Sequence, residues 1–187
     1  MGKAYGFSRK RSGAFTLRVE AVERALLLSL AHQMADFVAP PPPDPSADPL
    51  AAFVGIDEEA VTPDDPALAR LFPDAFLDDA DASVEFRRFT ERDLRQAKAD
   101  NARSVAAALE ADEDPVRIAP DAVASWLGFL NDTRLALGTR VEITEDNHDE
   151  LAGLPDDDPR LGLFHVYDWL TFLEDSLVRL LLPDGGS

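Results

Sequence analysis

The chain has 187 residues, 45% of them hydrophobic, with a formal net charge of -18 and no cysteine, enough for one ordinary domain with its own core. Disulfides, thiolate metal ligation and thiol redox sensing are excluded. Such an acidic field repels nucleic-acid phosphates unless its charge is unevenly placed.

The charge is uneven. Lys3, Arg9, Lys10, Arg11, Arg18 and Arg24 face only Glu20 and Glu23 at the start of the chain, whereas residues 39–82 are acidic apart from Arg70. The basic start runs into an amphipathic helix with acids, which a secretory signal would not do. The most apolar stretch, Leu161 to Leu182, carries Asp168, Glu174, Asp175 and Arg179; a membrane span needs roughly 18 uncharged apolar residues, so no span and a cytoplasmic location are expected.

In chain order, Phe7 to Lys10 and Ala14 to Val19 are β-prone runs around Arg11-Ser12-Gly13, which predicts a hairpin. Val22, Leu26, Leu30, Met34 and Phe37 recur at steps of three and four, predicting a helix over Glu20 to Val38 with these residues inward. Pro40 to Pro43, Pro45 and Pro49 end it, because consecutive prolines lack amide donors. Residues 39–82 read as a mobile Pro/Asp-rich linker with a short helix near Pro66 to Leu71, docking through Leu68, Leu71, Phe72, Phe76 and Leu77.

Thr90 stands three residues before Asp93, a capping-box-like start for a second long helix to Glu110, with Glu85 to Phe89 extended before it. Val116 to Ile118 suits a short strand. Pro120 and Gly138 bound a third helix, the glycine as a left-handed C-terminal cap. The last helix is predicted from Pro159 to Leu182, with Leu163, Val166, Trp169 or Leu170, Leu173 and Leu177 inward and Pro183 closing it. The fold class is therefore mainly α: one domain over 1–187, a bundle of about four main helices with a small N-terminal β-hairpin.

Chemistry-bearing patterns are few. Asp79, Asp81, Ser83 and Glu85 imitate the opening of a calcium loop, but Val84 stands where Gly is needed and Thr90 where a bidentate Glu is needed. Glu145, Asp146, His148, Asp149 and Glu150 form an acidic cluster without a fixed coordination geometry and read as a solvated loop. Asp156, Asp157 and Asp158 place negative charge at a helix N-terminus, where the dipole favours it by about 0.3 to 1 kcal/mol. His32, His148 and His165 fall on separate elements, and the glycines form no phosphate loop. No catalytic residue, cofactor or metal is assigned, and the chain reads as a non-enzyme.

Arg87, Arg88, Arg92, Arg95, Lys98 and Arg103 add a second basic cluster to the N-terminal one, and Arg9, Lys10, Arg11, Arg88, Arg92 and Arg95 are the candidate basic surface. Glu85, Glu91, Asp93 and Asp100 are interleaved with the second cluster, so helical ion pairs absorb much of it, and no short-turn helix pair presents a basic recognition helix. Nucleic-acid binding is disfavoured and kept as the first alternative; a metal-dependent sensor or unrecognised enzyme is the second.

The segment from Trp126 to Arg140 is the most distinctive. Trp126, Leu127, Leu130, Arg134 and Leu137 fall near one stripe, so Arg134 approaches the apolar face and needs an acidic partner, Asp168 or Asp132, in a polar lock between the third and fourth helices. Trp126, Asn131, Asp132, Arg134, Arg140, Tyr167, Asp168 and Trp169 are the candidate structural or interaction residues.

Phe89-Thr90-Glu91-Arg92-Asp93-Leu94, the Trp126 to Arg140 segment, and Tyr167-Asp168-Trp169-Leu170 to Ser176-Leu177-Val178-Arg179 occur in this order. In these segments the chain resembles the AosR-like proteins of actinobacteria, a former domain of unknown function now labelled oxidative-stress transcriptional regulators. The resemblance runs from the hairpin to the last helix and implies a stress-responsive transcriptional regulator. In some members that role is tied to a cysteine pair near the N-terminus, which this chain lacks. It thus implies action without a thiol switch, through docking on a sigma factor or other transcription component; the sequence leaves homo-oligomerisation open.

Overall fold

The computed structural model describes residues 5–42, 61–111 and 113–182. Two strands, β1 (Gly6–Arg9) and β2 (Phe15–Arg18), form the expected antiparallel hairpin, with Phe7 opposite Leu17 and Ser8 opposite Thr16. Gly13 has φ +85° in its turn, a left-handed conformation that a glycine adopts without steric cost. The expected short strand, β3 (Val116–Ile118), pairs antiparallel with β2, so the sheet has three strands in the order β1-β2-β3.

Six helices follow among the described residues: α1 (Ala21–Phe37), α2 (Pro66–Leu71), α3 (Ala80–Glu110), α4 (Val123–Arg140), α5 (His148–Ala152) and α6 (Pro159–Leu181). Four are long, as expected. α1 packs on α3, α3 on α4, α4 on α6 and on α2, and α6 on β1. Their shared core holds Leu27, Leu109, Trp126, Phe129, Leu130, Leu170, Leu173 and Leu177, together with Phe7, Phe15 and Leu17 from the sheet. Ala31 and Ala35 of α1 and Ala99, Ala102 and Ala106 of α3 are also buried there; small side chains let two helix backbones approach closely. A second, smaller cluster of Val141, Leu151 and Phe164 sits under α5.

Local chemistry explains the helix starts. Asp65 caps α2 by accepting from Ala67 N (2.8 Å), with Pro66 at the first position; Asp79 accepts from Ala82 N (2.9 Å) at α3, and Asp158 from Arg160 N (2.9 Å) at α6. The end of α3 is held from outside: Arg24 donates to the carbonyls of Leu109, Ala111 and Glu113, satisfying acceptors that a helix terminus leaves open.

Several expectations are corrected. α3 begins at Asp79 and not at Thr90, so Glu85 to Phe89 are helical, and Thr90 Oγ1 donates to Phe86 O (2.9 Å) inside the helix instead of capping it. The inward side of α1 is shifted: Met34 is buried as expected and Leu30 and Phe37 pack partly on the core, but Val22 is 72% exposed and Leu26 lies at the surface, while Leu27, Ala31, Ala35 and Val38 are buried. The helix rotates because alanines on the buried side admit α3, whereas a stripe chosen for large apolar residues ignores them. Leu163 is exposed on α6, and Phe164 takes the inward place beneath α5. Leu71 and Phe72 dock on the core, but Phe76 and Leu77 do not, Leu77 being 94% exposed.

Gly138 is no cap. It lies inside α4, and Glu142 takes the left-handed conformation after it, φ 56°. Ile143 N donates to Gly138 O (2.9 Å) and Glu142 N to Thr139 O (3.3 Å), the pairing of a Schellman termination with a glutamate where glycine is usual. Gly138 is required for space instead: an added Cβ would stand 2.9 Å from Ile143 Cγ2 and 3.2 Å from Tyr167 Cε2. Pro43, Pro45 and Pro49, most of the linker's first half, and Pro183 lie outside the described residues.

Candidate interaction surfaces and the polar ties behind them

The α4 segment is a junction of ion pairs. Trp126 is fully buried and meets Phe7 edge to face, ring centroids 5.5 Å apart, which seats α4 under the sheet. Lys98 of α3 donates to Asp132 Oδ1 at 2.6 Å, and burial raises the Asp132 carboxyl above its ordinary value although Lys98 opposes the shift. Arg134 Nε stands 3.0 Å from Glu174 Oε2 of α6. The partner of Arg134 is therefore Glu174, not Asp168 or Asp132, because α6 presents position 174 to that turn of α4. Burial raises Glu174, with Arg134 opposing and Asp175 adding to the shift. Asn131 is half-buried on α4, and Arg140 bonds Asp65 (2.6 Å) and lies over the Phe37 ring, tying α2 and α1 to the end of α4.

On α6, Tyr167 lies against Gly138, Asp168 bonds His148 Nε2 (3.0 Å), and Trp169 donates its indole N–H to Tyr5 Oη (2.8 Å). Tyr5 Oη in turn donates to the Glu23 carboxylate of α1. Burial first, then this acceptor, pushes the Tyr5 phenol up to about 12. Arg70, Arg134, Glu142 and Tyr167 line a groove of about 510 Å³ whose wall carries both signs of charge.

The two basic clusters are held by different neighbours. Arg9, Lys10 and Arg11 are exposed on the hairpin, Arg9 over the Phe15 ring, and β1 packs on α6. Arg92 reaches Pro41 O (3.4 Å). Arg95 is not a free surface cation: it bonds Glu91 (2.7 Å) and stacks 4.3 Å from the Phe72 ring centroid. Arg88 is half-buried. Of these arginines Arg95 is captured by an interleaved acid, Glu91, as helical i,i+4 spacing allows.

Arg87, read from the sequence only as a member of the second basic cluster, is the most buried cation of this region. It donates to Asp74 (2.7 Å), Phe72 O (3.0 Å) and Glu91, and these bonds hold its charged form against burial. The spacing of Arg87, Glu91 and Arg95 was the available signal; that the ladder turns inward was not. Tyr5, Phe172 and Glu174 carried none, since their partners lie far away in sequence.

Among the described residues, exposed aromatic side chains gather in two places. Phe76, Phe86, Phe89 and Leu94 are exposed around the first half of α3, Phe76 and Phe86 meeting edge to face. Tyr5, Val22 and Phe172 are exposed where the N-terminus, α1 and α6 meet, with the Tyr5 and Phe172 rings 5.7 Å apart. Among the described residues no group of three or more His, Cys, Asp or Glu is placed to hold a metal ion, and no helix is long and apolar enough to cross a membrane.

Comparison with known proteins finds relatives by sequence. A family profile described as "Domain of unknown function (DUF2017)" matches residues 4–181. "Oxidative stress regulator AosR" of Mycobacterium tuberculosis is 32% identical over 174 residues, covering 86% of this chain and 78% of the relative; the protein of the same name from Mycobacterium bovis matches equally. "Putative oxidative stress regulator AosR" of Mycobacterium leprae is 30% identical over 149 residues, 72% of this chain and 67% of the relative. No solved structure matches significantly.

Proposed function

The chain belongs to the DUF2017 family, and on that premise we propose that it is a non-catalytic regulatory protein, acting on transcription by binding another protein and without a cysteine switch. Its relatives' names support a regulatory role. The observation that carries the binding reading is a division of labour among side chains. The buried polar groups Arg87, Asp132 and Thr133 have intramolecular partners, whereas Phe86, Phe89, Phe172 and Val22 stand in solvent. Polar groups committed to holding helices together are poor reagents, while exposed aromatic side chains are the residue types enriched at protein interfaces.

Regulation by thiol oxidation is unavailable to a sequence without cysteine, so sensing of oxidants is assigned to the partner. Crosslinking of the tagged chain in its native cells, followed by affinity capture and mass spectrometry, tests the reading. Recovery of a sigma factor, polymerase subunit or other transcription component is expected; recovery of metabolic enzymes alone overturns it. Direct DNA binding predicts retention on a nucleic-acid column that weakens steeply with salt, and the capture of Arg95 and Arg87 by Glu91 argues against it.

A further inference from the structure

We propose that the surface formed by Tyr5, Val22, Leu26, Trp169 and Phe172 docks a basic, amphipathic segment of a partner protein; the proposal rests on the protein-binding reading above and names its face and chemistry. The surface is built from three separate pieces of chain. Trp169 of α6 donates to Tyr5 Oη at 2.8 Å, Tyr5 donates to Glu23 of α1, and the other Glu23 oxygen accepts from Glu20 N at 2.6 Å. Aromatic rings and a carboxylate are thereby fixed before any partner arrives, which lowers the ordering cost of association. Phe172 is exposed with its ring 5.7 Å from that of Tyr5, and Val22 and Leu26 are exposed on α1, before and after Glu23 in the chain.

The charge beside these groups has one dominant sign. On α6, Asp168 and Asp175 stand four residues before and three residues after Phe172, one turn away on the same face. On α1, Glu20 and Glu23 stand beside Val22. Two basic groups are placed beside these acids, Arg179 3.9 Å from Asp175 and His148 3.0 Å from Asp168. A cationic side chain entering here meets ring faces and carboxylates together, the combination that favours arginine and lysine. Leucine-like side chains of the same segment would cover Val22 and Phe172. A second copy of this chain fits poorly, because it would set Glu20, Glu23, Asp168 and Asp175 against like charges in a molecule of net charge -18. The surface at Phe86 and Phe89 makes no such choice, since Arg88 and Arg92 are interleaved there with Glu85 and Asp93.

The chain contains two tryptophans, and this supplies the assay. Trp126 is fully buried and serves as an internal control, while Trp169 is partly exposed and bonded to Tyr5. The indole N–H resonances of the full, 15N-labelled chain are followed at physiological salt during titration with three two-heptad peptides, built on Arg and Leu, on Arg and Ser, and on Glu and Leu. The Arg–Leu peptide is expected to move Trp169 and not Trp126, with the other two at least about tenfold weaker, a factor that one well-placed apolar anchor supplies. The exposed pair Val22→Ser and Phe172→Ala, with folding checked by circular dichroism, is expected to weaken the Arg–Leu peptide about tenfold.

Equal binding of the Arg–Ser peptide, binding that leaves Trp169 unmoved, or no binding overturns the proposal. So does sedimentation showing a dimer that the double variant dissociates. Peptide binding transferred to Phe86 and Phe89 removes this surface and leaves the protein-binding reading standing. Capture of metabolic enzymes alone removes that reading without bearing on Trp169.

Discussion

Lys98 Nζ and Asp132 Oδ1 lie 2.6 Å apart, joining the middle of α3 to α4 with both side chains largely withdrawn from water. Breaking such a pair leaves the surviving charge without its partner, which costs more than the pair itself contributes. Asp132→Ala is expected to lower unfolding stability by about 2 kcal/mol, less than a fully enclosed pair because the lysine stem can carry its ammonium outward. Urea unfolding of the single and double variants measures it. In a double-mutant cycle Lys98→Met on the Asp132→Ala background is expected to recover part of the loss, and strict additivity would mean that the two groups do not act together.

The end of α4 offers a gain. Glu142 holds φ 56°, a conformation that costs a residue with a Cβ roughly 1 kcal/mol relative to glycine. Glu142→Gly is expected to raise the melting temperature by about 2 to 4 °C, the shift that 1 kcal/mol produces in a domain of this size. Gly138→Ala is expected to act oppositely, by about 1 to 3 kcal/mol, since its Cβ must displace Ile143 and Tyr167. Differential scanning calorimetry of both variants separates a strained backbone from a crowded one.

Tyr5 provides a pH signature. Its phenol is pushed from an ordinary 10 up to about 12 by burial and by donation to Glu23. Between those values the folded chain holds a proton that the unfolded chain releases, so this contribution is fully present below 10 and is lost as pH rises through about 12. Ultraviolet titration of tyrosinate in Tyr167→Phe is expected to show a single late transition. Glu23→Gln is expected to move it earlier by removing the carboxylate and its charge; an unchanged midpoint would leave burial as the whole cause.

On the acid side, the Arg140 guanidinium bonded to Asp65 holds that carboxyl below the usual carboxylate range, with the Leu68 and Ala67 amides assisting. A lowered carboxylate contributes stability above its unfolded pKa and loses it as pH falls through the folded one. Arg140→Ala is expected to reduce stability at neutral pH and to flatten the acid limb of the stability curve. Unfolding in urea at a series of acid pH values checks this, and added salt should shrink the difference because the pair is partly open to solvent.

The four long helices, the hairpin and the helix at Pro66 were legible because their signals are local: repeated apolar spacing, a Ser-Gly turn, prolines at first turns and prolines after an end. The start of α3 was missed because Thr90 offered a plausible cap while the Asp79 signal lay inside a stretch of polar, small residues. The same weakness misplaced the end of α4, where Gly138 has the residue type of a cap but Glu142 supplies the left-handed conformation.

Amino-acid order by itself determined that this chain has no thiol chemistry, that it is mainly helical, and that Trp126 to Arg140 forms one amphipathic helix with an arginine turned toward apolar neighbours. Only the tertiary structure decided that Arg134 meets Glu174, that Arg87 and Arg95 are claimed by Glu91, and that Tyr5, Glu23 and Trp169 join across three elements. The physical reason is range. Backbone propensity and helical periodicity act over a few residues, whereas an ion pair or a bonded aromatic chain depends on how each helix rotates about its axis, which small residues such as Ala31 and Ala102 set through the packing of the whole core.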